Sequence, residues 1–245
     1  MKIMTLNVNG FRKNASDEEN VPDKIRLDYM RKIKKLIDKV VINKNDIIIL
    51  QEIPHNLKKN GKRYWFDDAL YNSFNEMFRE YEILRPKHLI NSLHCTVAIC
   101  KKESWGQLPK DVLQYDTGYR YGNKFVELQC GDVTLLGVHM PVNNDMWDDF
   151  LIPALIDAPY TYVVGDFNAN EKRGPMSDKP KKIRECGYNN LISSNIITFY
   201  SKKRETSIDN IYINSKITLK NVAVKVVDTN LTDHALCILE YEYLS

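Results

Sequence analysis

Eight polar residues lie at the edges of apolar, strand-like runs, and their types are those that handle phosphate and a hard cation. In chain order they are Asn7 in LNVNG, Glu52 in IIILQEI, His139 in LLGVHMP, Asp166 and Asn168 in YVVGDFNAN, Asp209 in SIDNIYI, and Asp233 with His234 in TDHALCIL. Taken singly each has an ordinary explanation, since an Asp or Asn after a strand commonly forms a turn or a helix cap. Taken together they make one inventory, because strand interiors bury side chains while strand ends present them on a shared rim. An anionic phosphate ester repels hydroxide, so its hydrolysis needs a cation to neutralise charge, a group that orients water, and donors for the transition-state oxygens. Magnesium suits such a set. It takes one or two carboxylates plus waters and substrate oxygens, so few protein ligands are required.

The elements that must position these residues can be read from hydrophobic periodicity. Strand-like segments recur at Lys2 to Val8, Asp46 to Gln51, Tyr81 to Arg85, Val97 to Lys101, Lys124 to Gln129, Thr134 to His139, Tyr160 to Val164, Ser207 to Ile213, Val222 to Val227 and Ala235 to Tyr241. Ten or so strands are too many for one small open sheet, so two packed sheets are implied. Helical spacing marks Pro22 to Val41, with Ile25, Tyr29, Ile33, Leu36, Ile37 and Val40 on one face, and shorter stretches at Asp67 to Arg79, Met146 to Ile156 and Lys179 to Cys186, the last followed by Gly187 in a C-cap position. Strands and helices alternate in both halves, with no repeat or linker between them. The expected architecture is an α/β four-layer sandwich, two facing mixed β-sheets with helices on the outer faces, in a single domain spanning residues 1–245.

Composition narrows the class without naming it. Apolar residues make up 43% and charged residues 27% of the 245, an ordinary globular balance that excludes disorder. No apolar run approaches the roughly 20 residues of a membrane helix. The first nine residues already alternate like a strand, and the five cysteines lack paired spacing, so reduced thiols and a cytoplasmic setting are expected, with no membrane partner and no obligate protein partner inferable. A net charge of +3 is well below that of a dedicated nucleic-acid binder. Local basic runs, including Lys58 to Arg63 followed by Tyr64, Trp65 and Phe66, could nonetheless neutralise phosphates and stack bases.

The order and wording of the motifs resemble the endonuclease/exonuclease/phosphatase family over Ile3 to about Glu240, with GDFNAN and TDHALCIL the most specific pieces. The resemblance implies a metal side made of Glu52, the principal carboxylate, with Asn7 and Asp233 as further ligands of Mg2+, for which Mn2+ could substitute. It implies that Asp166 orients or deprotonates the attacking water and that Asn168 holds a phosphate oxygen. His234 would donate to a non-bridging oxygen, and Asp209 would fix its tautomer and favour imidazolium. His139 occupies the place of a second histidine that either protonates the leaving oxygen or stabilises the pentavalent transition state. Arg120, in GYRYGNKF, would grip phosphate, with Tyr119 or Tyr121 hydrogen-bonding nearby.

Substrate choice lies in loops that such a family varies, so the resemblance alone does not name the molecule. KKRETSIDNIYI lacks the tryptophan and arginine that AP endonucleases carry ahead of the strand-borne acid, and the extended basic signatures of inositol polyphosphate 5-phosphatases are missing. The expectation is a magnesium-dependent phosphodiester hydrolase with nucleic acid as substrate. Its alternatives are a phosphatase or phosphodiesterase for a small phosphorylated metabolite or lipid headgroup, and a silent binding module on the same scaffold.

Overall fold

The computed structural model describes residues 1–13, 21–54, 58–60, 63–65, 68–87, 94–109, 122–142, 144–157, 160–201 and 204–242, with backbone alone for 58–60 and 63–65. Along the first half run β1 (Lys2–Asn7), α1 (Asp23–Val40), β2 (Ile47–Pro54), β3 (Lys58–Asn60), β4 (Arg63–Trp65), α2 (Asp68–Met77), β5 (Glu82–Leu84), β6 (His94–Cys100), β7 (Gly106–Gln107), β8 (Phe125–Cys130) and β9 (Val133–His139). The second half holds α3 (Asn144–Met146), a π-helical stretch (Trp147–Leu151), α4 (Ile152–Asp157), β10 (Tyr162–Asp166), α5 (Lys179–Glu185), β11 (Tyr188–Asn190), β12 (Phe199–Tyr200), β13 (Glu205–Thr206), β14 (Asp209–Asn214), β15 (Lys220–Val227) and β16 (Leu236–Glu242).

Two six-stranded sheets form, in the orders β15-β16-β1-β2-β6-β5 and β11-β14-β10-β9-β8-β7. Each is mixed. β1 with β2 and β9 with β10 are parallel pairs, and the other ladders are antiparallel. Ile3, Ile47, Ile49 and Leu239 of the first sheet face Val126, Leu135, Val164 and Ile211 of the second in one buried cluster. Gly137 on β9 permits that approach, since a Cβ there would lie 2.6 Å from a Val126 methyl and 2.9 Å from one of Ile49. The outer face of the first sheet (Met4, Leu6, Ile48, Leu50) is covered by Met30, Ile33 and Ile37 of α1 and Phe74 of α2. The outer face of the second (Leu136, Val138, Val163) is covered by Trp147, Leu151, Leu155 and Ile183. The result is the helix, sheet, sheet, helix layering that the alternation of elements predicts.

Differences from the sequence reading have physical causes. On α1, Met30, Ile33 and Ile37 are buried and Tyr29, Leu36 and Val40 pack partly buried against the same cluster, while Ile25 is 46% exposed. Met146 to Ile156 is interrupted by the π-helical stretch, a widening of the turn that periodicity does not signal. The short strands β3, β4, β7, β11, β12 and β13 have two or three residues each, too few to show alternation. Among the described residues, no helix is long and apolar enough to cross a membrane.

Candidate active site

The topology brings six strand ends to one rim. The parallel strands β1 and β2 leave the first sheet there, carrying Asn7 and Glu52, and β9 and β10 leave the second, carrying His139 and Asp166. The antiparallel strands β14 and β16 enter at the same rim, so Asp209 opens its strand and Asp233 and His234 precede theirs. Register then fixes neighbours: Asp166 stands opposite His139 on one side and Asp209 on the other.

Glu52 is aimed by a β-bulge. The pairing of β2 with β6 shifts between Leu50 and Ile53, and Glu52 adopts φ +57°, a conformation that costs a non-glycine residue roughly 1–3 kcal/mol and that clusters at functional sites. Its carboxylate accepts from Asn7 Nδ2 at 3.2 Å and from Arg12 Nη2 at 3.4 Å, and His139 Nε2 lies 3.8 Å away. Burial would raise its pKa, but His139, His94, Asn7 and His234 outweigh burial and hold it at about 2, so the carboxylate is an anion. Asn7 joins the two halves of the site, because the same Nδ2 donates to Asp166 Oδ2 at 2.9 Å while Oδ1 accepts the Asn9 N–H at 2.9 Å. Asn7 thus turns its donor face to the carboxylates.

Asp166 is buried, and its Oδ1 accepts the Asn168 N–H at 2.9 Å. Asn168 takes φ +48°, which an asparagine tolerates, and its Nδ2 donates to Met140 O at 2.8 Å, tying the GDFN turn to the end of β9. Burial and the neighbouring Asp209 push Asp166 up to about 7, against the pull of His234, Asn7 and the Asn168 N–H. Asp209, fully buried, lies 3.1 and 3.0 Å from His234 Nδ1 through its two oxygens, while His234 Nε2 lies 3.9 Å from Asp166 Oδ2. Burial alone would lower the His234 pKa, yet Asp209, Asp166 and Asp233 raise it to about 10, so the ring is an imidazolium with Nε2–H directed at the Asp166 side.

A second layer holds these groups in place. Thr198 Oγ1 accepts the Ile208 and Asp209 N–H groups at 3.0 and 2.9 Å, and its carbonyl accepts Ala235 N–H at 2.7 Å. Thr232 Oγ1 donates to Asn7 O at 2.9 Å, fastening the approach of β16 to the end of β1. Phe199 packs its ring on His234, centroids 4.9 Å apart.

Two buried or half-buried cations at the site escape the sequence reading. Arg12 reaches Glu52 because Asn9, Gly10 and Phe11 all take positive φ (46, 57 and 58°), a left-handed turn anchored by Phe11 against Phe74. Lys124, immediately before β8, places Nζ 3.1 Å from His139 Nδ1. The only sequence signal for either is a basic residue bordering a motif (NGFRK, GNKF). Arg120 and Tyr121, expected to grip phosphate, and Tyr119 lie outside the described residues, as do the side chains of the Lys58 to Phe66 run.

A metal can be tested against this donor set. Asp166, Asp209 and His234 offer ligand atoms within 4.8 Å of one another, but Asp209 and His234 Nδ1 already satisfy each other at 3.0 Å. Glu52 and Asp233 form the better donor side. Glu52 is ionised, and Asp233, half-buried, is raised by burial and by Glu52 against the pull of His234 and Thr232. That like-charge pressure is what a divalent cation relieves.

No family model and no curated protein sequence matches the chain. Solved structures do. The fold matches that of an AP endonuclease from Archaeoglobus fulgidus (TM-score 0.62, 15% identity, 99% of this chain and 100% of that one). The endonuclease domain of TRAS1, a telomere-specific non-LTR retrotransposon, matches with TM-score 0.61 and 12% identity over 97% and 96%. The 3' phosphatase NExo from Neisseria, solved with a product DNA hairpin, gives 0.61 and 16% over 99% and 100%. A protein from Leptotrichia buccalis described as an endonuclease/exonuclease/phosphatase family protein shares the same architecture (0.56, 16%, 99% and 100%). The fold is therefore the endonuclease/exonuclease/phosphatase fold.

Proposed function

We propose that the chain is a divalent-metal-dependent phosphodiester hydrolase acting on nucleic acid, with Mg2+ as the cation and Mn2+ as a substitute. The observation that carries this reading is the hydrogen-bonded chain Glu52, Asn7, Asp166 at the rim, with the Asp209 and His234 pair beside it. Glu52 and Asp233, with Asn7 alongside, would hold the cation, which would supply charge neutralisation and Lewis-acid polarisation at the phosphoryl oxygen. Asp166, poised near neutrality, orients the water and accepts its proton. His234 and Asn168 donate to non-bridging oxygens, Asp209 keeps His234 charged, and Arg120 and Tyr121 would hold a flanking phosphate. Nucleic acid is favoured because, among the structural neighbours, NExo is described as bound to a product DNA hairpin, TRAS1 as a telomere-specific retrotransposon endonuclease, and the Archaeoglobus protein as an AP endonuclease.

The test is hydrolysis by the purified protein with Mg2+ or Mn2+ on plasmid DNA, single-stranded DNA, RNA, abasic duplex, an inositol phosphate and sphingomyelin. Cleavage of a nucleic acid, abolished by EDTA and reduced at least ~10²-fold in Glu52→Gln and Asp166→Asn, is the expected result. Turnover confined to the small phosphates or the lipid would reassign the substrate. Wild-type rates in either variant would remove that residue from the reaction.

A further inference from the structure

His139 has two sharply different ways to act, and the group behind it decides between them. An imidazolium could give a proton to the leaving oxygen. A neutral ring bearing its hydrogen on Nε2 is a far weaker acid than an imidazolium, and it acts by hydrogen-bond donation, polarising the oxygen it faces. The residue on Nδ1 is Lys124, at 3.1 Å, and an ammonium has three donors and no acceptor lone pair. Nδ1 must then accept, and the ring hydrogen sits on Nε2. That nitrogen faces Glu52 Oε1 across 3.8 Å, longer than a hydrogen bond, leaving its N–H directed into the rim beside the carboxylates. His234 presents the opposite case, with the carboxylate of Asp209 behind Nδ1. The two histidines of the site are thus differentiated by the charge of their partners.

We propose that Lys124 is a positioning residue that fixes His139 as the neutral Nε2–H tautomer, so that His139 stabilises a phosphoryl oxygen by donation and does not protonate the leaving oxygen. The inference rests on the hydrolase reading for the word phosphoryl, but its tautomer half does not. Lys124 itself ends the 3-10 turn Gly122–Lys124 that leads into β8, where Asn123 Nδ2 donates to His94 O at 2.5 Å and Thr96 Oγ1 donates to Lys124 O at 3.1 Å, so the backbone that aims the ammonium is tied to the neighbouring sheet.

The tautomer is read without substrate or metal, from 15N spectra of histidine-labelled protein at pH 7, with the His139 signals assigned through His139→Ala. The expected spectrum has a protonated Nε2 and a hydrogen-bonded, unprotonated Nδ1, whose resonance moves toward that of a free ring nitrogen in Lys124→Met and stays in Lys124→Arg. A hydrogen on Nδ1, or no change in Lys124→Met, overturns the proposal whether or not the protein is a hydrolase. Circular dichroism and a thermal melt of Lys124→Met check that it folds, and Lys124→Gln serves where it does not. With turnover in hand, Lys124→Met should lower kcat at least ~10-fold with KM within twofold, and should add nothing to His139→Ala in a double-mutant cycle. The loss in His139→Ala should be equal for p-nitrophenyl and nucleoside leaving groups, since no proton goes to either. A much larger loss on the nucleoside would restore the general-acid role and refute the proposal.

Discussion

Replacing Asp209 by Asn removes a charge from a buried pair while keeping its shape, and the consequences should differ with pH. His234 is buried, and its pKa is nevertheless raised to about 10, with Asp209 the largest opposing influence. An ordinary histidine titrates near 6.5, and each unit of difference corresponds to about 1.4 kcal/mol, so keeping the ring charged at pH 7 against a folded pKa three units higher reflects on the order of 4 kcal/mol. Two effects reduce the loss. Asp166 and Asp233 still face the ring, and Asp209 repels Asp166, a repulsion that the amide abolishes. The expected destabilisation at pH 7 is therefore about 2–4 kcal/mol, overlapping the lower part of the roughly 3–5 kcal/mol range for breaking a buried pair. Because the folded pKa is raised, the contribution of His234 is complete below about 6.5 and fades as the pH climbs through 10. Urea denaturation of the wild type and Asp209→Asn, without metal, at pH 7 and at pH 10 measures both terms. The gap between the two proteins should shrink by more than half at the higher pH. A gap that is the same at both values would show that Asp209 stabilises by packing and hydrogen bonding alone, and the assignment of an imidazolium at His234 would fall.

Two further perturbations test the framework around the site. Gly165 precedes Asp166 at φ 150°, and a Cβ there would sit 2.0 Å from the Val138 carbonyl of β9, so Gly165→Ala should force the parallel pair apart and cost about 3 kcal/mol or more, read as a fall in the thermal midpoint; a midpoint within two degrees of wild type would contradict that packing. His139 is depressed to about 3 by burial and by Lys124, so the unfolded chain binds a proton below about 6.5 that the native state refuses. The His139 contribution to metal-free stability should then fall by up to ~1.4 kcal/mol per pH unit on acidification from 6.5 toward 3, while the raised Asp166 opposes it over the same window, so the reading is the difference between wild type and His139→Asn, which should narrow from pH 6.5 to 4.5 in denaturant titrations.

What the sequence discloses depends on how local the cause is. Asn7, Glu52, Asp166, Asn168, Asp209 and His234 stand out because few residue types do phosphate chemistry and because each borders an apolar run that marks a sheet edge. Arg12 and Lys124 do not stand out, since a lone basic residue next to a strand has the pattern of any solvated charge. Their roles come from a left-handed turn at Asn9 to Phe11 and from the register of β8 against β9, which only the folded chain sets. The same holds for Glu52, legible as a carboxylate after a strand, whereas the bulge and positive φ that aim it arise from pairing with β6, forty-odd residues on.

One feature of the motifs does encode topology, and it lies in which side of its apolar run each polar residue occupies. Asn7, Glu52, His139 and Asp166 follow their runs, in LNV, QEI, VHM and VGD, whereas Asp209 and His234 come before theirs, in IDNIYI and DHALCIL. If all six meet at one rim, the first four strands must run toward it and the last two away from it. The pairings have that sense: β1 with β2 and β9 with β10 are parallel, and β14 and β16 lie antiparallel to β10 and β1. A site built this way has its negative charge supplied from both sheets, so the proposed cation side, with Glu52, and the proposed water-orienting Asp166 come from different sheets. The Asn7 amide, 3.2 Å from Glu52 and 2.9 Å from Asp166, and the His234–Asp209 pair at 3.0 Å both span the two.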